Sequence, residues 1–334
     1  MKQTIKESLI LFMHQKHFWS HLCFGFKIAK LNAKKTCFSM YEQQWQHALE
    51  EFFHKKLEKQ IEKYNNIPFS EPTKLNNGKI PIWRCWLQGF ENSPDLIKIC
   101  GKSAEKMTPT HTQIIQISYA NLNQYVSLPK HVIKKHKKGI IRAAHFSDII
   151  RHTLLATYGG IWLDATLYMS KPLYEKDVFS DYFCIKSQYD KDGKSGALYC
   201  TCIGSYKINP LFSFVRDALS WYWKKYNRAI TYDFMSTIMH IAYECISSVK
   251  NSVDKLEPNI DCIDAEAANR YCSYYNTMNL RYDKESVNAI KNQTTFHKFT
   301  YKNKLIAKTE DGDFTVYGKL LEEYGFQVKD YTPF

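Results

Sequence analysis

The chain has 334 residues, enough for one large α/β domain with an appendage or for two modest domains, each with a buried core. Aromatic side chains make up 15% of the residues, a share that excludes an intrinsically disordered class. The formal net charge of +13 favours an anionic partner, such as a nucleotide diphosphate, a nucleic acid or an acidic membrane surface, and does not choose among them.

The ten cysteines do not have the spacing of a disulfide framework or of a zinc site. Cys200 and Cys202 form a lone C-x-C, and the chain has no C-x-x-C pair. The expectation is therefore reduced and mostly buried thiols.

The first residues, MKQTIKESLILFMHQKHF, contain only a short apolar run, Leu9 to Met13. This run is too short for a signal peptide or a membrane-spanning helix, so a cytoplasmic location is expected. The basic and aromatic segment HFWSHLCFGFKIAKLNAKK has two interpretations. It could rest peripherally on the inner face of an anionic membrane, and simple packing or contact with a partner is the favoured alternative.

Apolar residues recur mostly three or four positions apart between Tyr41 and Tyr64, which predicts an amphipathic helix. Residues 1–66 are therefore expected to be helical. The Asn-, Pro- and Gly-rich stretch NNIPFSEPTKLNNGKIP follows and is typical of a linker. It divides the chain into a helical N-terminal region, 1–74, and a second domain, 75–334.

After the linker, KIPIWRCWLQG predicts a strand that ends near Gly89, SPDLIKICGKSAEKM a helix with Pro94 in its first turn, and TQIIQIS a second strand. Strand, helix and strand in this order predict the start of a parallel βαβ arrangement. The basic run KHVIKKHKKG is either a solvated helix end or a phosphate-facing loop, and the sequence leaves both open.

The stretch HFSDIIRHTLLATYGGIWLDATLY, which begins at His145, has the strongest chemical pattern. It predicts a helix with Ser147 as its N-cap and with Asp148 and Arg151 paired at i and i+3. Gly159 and Gly160 end that helix, and the apolar run IWL predicts a buried strand. Asp164 then lies at the carboxyl end of the strand, where open α/β sheets collect their ligands.

This pattern, S-D-x-x-R followed by Y-G-G-x-W-x-D, resembles the sugar-binding Asp-x-Asp region of glycosyltransferase family 32 and of its bacterial relatives, the capsular polysaccharide synthesis proteins. The resemblance extends from about Lys79 to the C-terminus through KIPIWRCWLQG, GSYKINPLF and TTFHKFTYKNKL. It implies an α/β fold of the GT-A type, a Rossmann-like mixed sheet flanked by helices, placed after the helical N-terminal region. It also implies a retaining transfer of a sugar from a nucleotide diphosphate donor, with a UDP-sugar expected.

The resemblance also implies roles for individual residues. The strand end would meet the nucleotide base, the S-D-x-x-R helix and the glycine pair would form the rest of the donor site, and the C-terminal segment would approach the diphosphate. The residues implied in donor binding are Trp86, Leu87, Gln88, Ser147, Asp148, Arg151, Gly159, Gly160, Asp164 and Lys298. Those implied in holding a divalent cation, Mn²⁺ or Mg²⁺, are Asp164, Thr166 and His297.

Thr166 departs from the family pattern, because an Asp-x-Asp clamp places a second carboxylate there. A threonine hydroxyl is a weaker ligand for a hard cation than a carboxylate. The expectation is a weaker metal site built on Asp164, the donor phosphates and His297, and loss of metal dependence is the open alternative.

Other acidic residues have less specific patterns. The clusters YDKDGK and TEDGDF are expected to be solvated turns, although the second contains a literal Asp-x-Asp, Asp311 and Asp313. YDFMSTIMHIAYECI predicts a helix whose apolar stripe belongs to the core, with Asp233 as a candidate catalytic or acceptor-binding group. SWYWKKY is expected either to pack a helix face or to stack on sugar rings.

The predicted function is a glycosyltransferase of the hexosyltransferase type in capsular or surface polysaccharide biosynthesis, with catalytic candidates Asp164 and Asp233. Its expected partners are a nucleotide-sugar donor and a glycan or lipid-linked glycan acceptor. The alternative is a non-catalytic nucleotide-sugar or glycan-binding protein. No nucleic-acid-binding fingerprint accompanies the positive charge, so no nucleic acid partner is expected.

Overall fold

The structure is a computed structural model that describes residues 38–186, 199–257 and 273–329. The helices in chain order are α1 (Phe38–Asn65), α2 (Asp95–Met107), α3 (Leu122–Tyr125), α4 (Lys130–Lys137), α5 (Ala143–Tyr158), α6 (Glu175–Val178), α7 (Pro210–Lys225), α8 (Phe234–Cys245), α9 (Ser247–Asp254), α10 (Ser273–Asn276), α11 (Lys284–Gln293) and α12 (Val316–Glu323). The strands are β1 (Ile80–Cys85), β2 (Thr112–Ile117), β3 (Gly160–Leu163), β4 (Leu167–Met169), β5 (Phe183–Ile185), β6 (Tyr199–Ser205) and β7 (Phe296–Lys298).

Contacts along the backbone group the chain into two compact units. Unit 1 consists of Met1–Ser70, Val126–Thr157 and Ile208–Asn251, and unit 2 of Glu71–Tyr125, Tyr158–Lys207 and Ser252–Phe334. The chain first passes from unit 1 to unit 2 between Ser70 and Glu71, close to the domain boundary predicted between residues 74 and 75. Each unit is built from separated stretches of the chain, so the N-terminal helix shares a unit with residues far from it in sequence.

Unit 1 is a helical unit with an aromatic core. The helix predicted from Tyr41 to Tyr64 corresponds to α1, and the part of the prediction that covers residues 1–37 lies outside the described residues. Phe53 of α1 is fully buried, with its ring 5.9 Å from that of Tyr222 in α7 and 6.1 Å from that of Phe234 in α8. Burial of such rings gives a large hydrophobic stabilisation, so α1 is held by packing rather than by helix propensity.

Two helices of unit 1 have the burial that their sequences predict. Of the predicted apolar stripe of α8, Phe234, Ile238 and Ile241 are buried, which confirms them as core, and Cys245 is half-buried. In α7, Tyr222 and Trp223 are buried within the helix face, so for this pair the packing interpretation of SWYWKKY is confirmed.

Unit 2 contains a five-stranded mixed sheet in the order β2-β1-β3-β6-β5. Strand β1 pairs in parallel with both β2 and β3, whereas β6 runs antiparallel to β3 and to β5. The connection from β1 to β2 runs through α2, which confirms the predicted parallel βαβ start. A second sheet of two strands pairs β4 with β7 in antiparallel register.

The turn from α5 into β3 depends on two glycines with positive φ. Gly159 has φ 60° and Gly160 has φ 79°, conformations that side-chain-bearing residues rarely adopt. A Cβ atom on Gly160 would lie 2.1 Å from the backbone oxygen of Pro81 in β1. The glycine pair therefore ends the helix, as predicted, and lets β3 approach β1 closely.

The structure describes only one of the two acidic clusters that were predicted to be turns. TEDGDF forms a turn, with Gly312 at φ 85° and an isolated bridge between Lys308 and Phe314. Asp313 at its end pairs with Arg281, whose Nη2 lies 2.9 Å from a carboxylate oxygen. The turn interpretation is therefore confirmed for this cluster, whereas YDKDGK lies outside the described residues.

Candidate functional site

Asp164 begins a tight turn directly after β3. Its N–H donates to the Thr201 carbonyl at 2.8 Å, and its carbonyl accepts from the Leu167 N–H at 2.9 Å. All four residues of β3 are buried, so the strand is fixed in the sheet and delivers Asp164 at its carboxyl end. The predicted position of this carboxylate is confirmed.

The Asp164 carboxylate is held by two side chains. Its Oδ1 accepts from the indole Nε1 of Trp162 at 2.8 Å, and its Oδ2 accepts from Nζ of Lys298 at 2.7 Å. The two charged side chains are 22% and 24% exposed, so the ion pair is partly shielded but reachable from solvent. A partly desolvated pair at this distance interacts more strongly than a surface pair.

Lys298 reaches Asp164 because β7 pairs with β4. Lys298 is opposite Leu167 in that register, and the Phe299 N–H donates to the Thr166 carbonyl at 2.9 Å. The C-terminal segment is thereby bonded to the turn that follows β3. The structure thus brings Lys298 and Asp164 together, although 133 residues separate them in the sequence.

Arg84 lies beneath this turn, and its importance was missed by the sequence-based interpretation. Its side chain is fully buried, and Nη2 donates to the Ala165 carbonyl at 2.8 Å. Burial lowers the pKa of Arg84, and negative charge, including that of Asp164, opposes the shift. The sequence does contain a signal for this role, an arginine within the apolar strand sequence IPIWRC. A cation that is buried in a strand needs a specific partner.

Two aromatic side chains lie at the same edge of unit 2. Trp86, just after β1, packs edge-on against Tyr301 with ring centroids 5.1 Å apart, and it also contacts the cluster that contains Ala165. Tyr301 is 45% exposed and was not singled out from the sequence. Of the other residues predicted at this strand end, Leu87 is buried and Gln88 is exposed.

The structure does not bring His297 to the Asp164 carboxylate, which corrects its assignment as a metal ligand. Neighbouring strand residues point to opposite faces, and Lys298 is the one directed to Asp164. His297 is fully buried, with Nε2 2.9 Å from the Ser170 hydroxyl and its ring beside that of Tyr274. Burial, followed by the charge of Lys291, lowers the pKa of His297 to about 4, so the ring is neutral at neutral pH.

The three predicted metal ligands therefore do not form a set that fits a divalent cation. Asp164 is neutralised by Lys298, Thr166 offers a neutral hydroxyl, and His297 is engaged elsewhere. Within residues 38–186, 199–257 and 273–329, no group of three or more His, Cys, Asp or Glu side chains could hold a metal ion. Among these residues the protein therefore offers no complete ligand set of its own for the predicted Mn²⁺ or Mg²⁺.

In unit 1, Asp148 and Arg151 form the predicted i, i+3 pair, with Nη1 of Arg151 3.5 Å from Oδ1 of Asp148. Ser147 is not the N-cap. Helix α5 begins at Ala143, and the Phe146 N–H already donates to the Arg142 carbonyl at 2.9 Å. The prediction was wrong because residues 142–146 continue the helical pattern upstream, which places Ser147 and Asp148 beyond the first turn.

Asp233 occupies the N-cap position of α8 in unit 1 and makes no side-chain capping hydrogen bond there. Burial raises the pKa of its carboxyl, while the neighbouring His145 opposes that shift. Its side chain is exposed overall, which is compatible with the predicted contact to an acceptor but does not test it.

None of the helices in the described parts of the chain combines the length and the apolar character needed to cross a bilayer.

Comparison with known proteins gives a family match and similarity to solved structures. A solved structure titled "PaToxG Glycosyltransferase" is similar at a TM-score of 0.34 and 16% identity, over 64% of this chain and 90% of that one. No curated protein matches the sequence at a significant level. The model of the family described as "Capsular polysaccharide synthesis protein" matches residues 27–320. Because that match covers most of the sequence, the chain belongs to the capsular polysaccharide synthesis protein family.

Proposed function

We propose that the chain is a glycosyltransferase of the GT-A type. It transfers a sugar from a nucleoside diphosphate donor, a UDP-sugar, to a glycan or lipid-linked glycan during the synthesis of a capsular or other surface polysaccharide. Membership of the capsular polysaccharide synthesis family supports the pathway. The mixed sheet, with a carboxylate delivered at the carboxyl end of a buried strand, supports the reaction class.

The observation that carries the proposal is the ion pair of Asp164 and Lys298 at the end of β3. Transfer of a glycosyl group leaves negative charge on the departing diphosphate, and a fixed cation lowers the barrier to that step. An ammonium group has three N–H donors, so Lys298 can keep its bond to Asp164 and still donate to a phosphate oxygen. Asp164 in this scheme orients Lys298 and accepts hydrogen bonds from donor hydroxyl groups.

The remaining roles complete the proposed donor and acceptor chemistry. Trp86 and Tyr301 offer an aromatic surface for the nucleotide base, with Leu87 and Gln88 beside it in the chain. Gly159 and Gly160 allow close backbone packing, Asp148 and Arg151 bind the donor sugar or ribose, and Asp233 contacts the acceptor. Transfer proceeds with retention of the anomeric configuration, which NMR of the product reads directly.

A panel of nucleotide sugars tests the proposal. The full chain is incubated with each donor, and release of nucleoside diphosphate is measured with and without glycan acceptors. We expect turnover of at least one donor, with release stimulated by an acceptor. Binding of donors without any turnover would instead identify the non-catalytic nucleotide-sugar-binding protein, and the transferase proposal would fail.

Metal dependence is a separate prediction. Because Lys298 already supplies a cation beside Asp164, we expect donor turnover in the presence of EDTA to stay within about threefold of that with Mn²⁺. The measurement is the rate of diphosphate release with the donor that the panel identifies. Loss of turnover in EDTA, restored by Mn²⁺ or Mg²⁺, would contradict this prediction and favour a cation held by Asp164 together with the donor phosphates.

A further inference from the structure

Unit 1 contains a pocket of its own. Two segments form its walls. One is the connection from α4 to α5 with the first turn of α5, residues 138–145, and the other is the end of α7 with the loop to α8, residues 223–232. Its volume of about 460 Å³ lies within the range of small-molecule sites. We call it the basic pocket.

The charged side chains that line the basic pocket have one sign, although Asp233 interacts with His145 of the lining. Lys138, Arg142 and Arg228 line it, all three are exposed, and no aspartate or glutamate is among the lining residues. Asp233, the acid next to Tyr232 in the chain, does not line it. None of the three cations forms an ion pair with a side chain in the described ranges, so their charge is not neutralised within that part of the protein.

A helix terminus adds to this positive potential. Helix α5 has 16 residues and begins at Ala143, directly after Arg142, with no acidic residue in its first turn. The N-terminal N–H groups of a helix and its dipole together favour an anion. Cation side chains, a helix N-terminus and a cavity therefore coincide at one place.

The walls of the pocket are fixed by hydrogen bonds before any ligand arrives. Lys135 of α4 donates to the carbonyls of Trp223 and Tyr226 at the end of α7. His145 of α5 lies 3.1 Å from the Tyr232 carbonyl through Nε2. A preformed site loses less conformational entropy on binding than a mobile one.

We propose that the basic pocket binds the phosphate or diphosphate group of a phosphorylated sugar. Three cations beside a helix N-terminus match a phosphoryl group, and the volume exceeds what that group alone fills. Tyr232, 68% exposed at the lining, offers an aromatic face to the attached sugar ring. Of the two interpretations of KHVIKKHKKG, the residues up to Lys137 form a helix, and Lys138 with Gly139 form the phosphate-facing end.

Calorimetric titration of the full chain with inorganic pyrophosphate tests the proposal. We expect the double variant Arg142→Gln/Arg228→Gln to lose about 30-fold or more in affinity at one site, because two charge-assisted hydrogen bonds are removed. Lys224→Gln, which removes an exposed cation outside the pocket, is the matched control and should titrate as the wild type does. A double variant that binds pyrophosphate as the wild type does would overturn the proposal.

The same titrations keep this site apart from the one at Asp164. Lys298→Gln should leave pyrophosphate binding at the basic pocket intact, so failure of one site does not imply failure of the other. Glucose 1-phosphate and vesicles that carry a polyprenyl diphosphate sugar then separate a soluble ligand from a lipid-linked one. If either ligand competes with pyrophosphate in the wild type but not in the double variant, the pocket binds a phosphorylated sugar. If neither ligand competes, that part of the proposal is refuted.

Discussion

Replacement of Asp164 by asparagine is expected to lower kcat/KM for donor turnover by about 100-fold or more, as loss of one preorganised electrostatic group does at other active sites. Asparagine has nearly the same shape and can still accept from the Trp162 indole, but it removes the charge that holds Lys298. The rate of diphosphate release from the preferred donor measures the effect. The melting temperature checks that the fold survives the loss of this ion pair.

Asp313→Asn is the matched control for this variant. Asp313 belongs to a literal Asp-x-Asp sequence, yet it lies in an exposed turn and pairs with the exposed Arg281. We expect this variant to keep wild-type turnover. Full activity of Asp164→Asn, or loss of activity in Asp313→Asn, would show that the ion pair at the end of β3 is not the reactive site.

The second large effect concerns folding. Gly160→Ala is expected to lower the free energy of unfolding by about 2–5 kcal/mol, the sum of an unfavourable positive φ and of overpacking against β1. The added methyl group would lie 2.1 Å from the Pro81 carbonyl oxygen, a backbone atom that cannot move without disturbing the sheet. Urea denaturation followed by circular dichroism measures the change.

Gly78→Ala separates the two contributions to that loss. Gly78 also belongs to unit 2 and has φ 70°, but no atom lies within 4 Å of the position that its Cβ would take. Its replacement should lower the free energy of unfolding by only about 1 kcal/mol, because only the unfavourable backbone conformation contributes. Equal losses in the two variants would mean that contact with β1 is not what selects glycine at residue 160.

Local patterns explain which parts of the fold were predictable. The start β1-α2-β2 and the turn from α5 into β3 follow from apolar runs and from Pro and Gly signals within a few residues. The N-terminus of α5 was misplaced, because Ser147 fits an N-cap locally while the helix continues upstream to Ala143. Tertiary packing outweighs a single capping preference of this size.

The candidate site was predictable only in part, since its central contact is not local. The position of Asp164 follows from the strand and glycines before it, but its bond to Lys298 depends on the register of β7 against β4. That register also decides that Lys298 rather than His297 faces the carboxylate. A shift of one residue would exchange the two, and no pattern in so short a strand excludes it.

The interleaved units were also beyond prediction from local sequence. The Asn-, Pro- and Gly-rich stretch was interpreted as a boundary between two successive domains, whereas the structure alternates segments of both units along the chain. Helix α1 needs partners for Phe53 and finds them in α7 and α8, more than a hundred residues later. Periodicity identifies the face that needs a partner but not the partner itself.

The most direct test of the proposed site is the affinity of the protein for UDP, measured by calorimetry for the wild type and for Lys298→Gln. The comparison variant is Lys319→Gln, which removes an exposed lysine paired with Glu322 on α12. If Lys298 receives the diphosphate, Lys298→Gln binds UDP about tenfold or more weakly, while Lys319→Gln binds as the wild type does. Equal UDP affinity in the wild type and in Lys298→Gln would contradict the proposal that this lysine, beside Asp164, forms the diphosphate site.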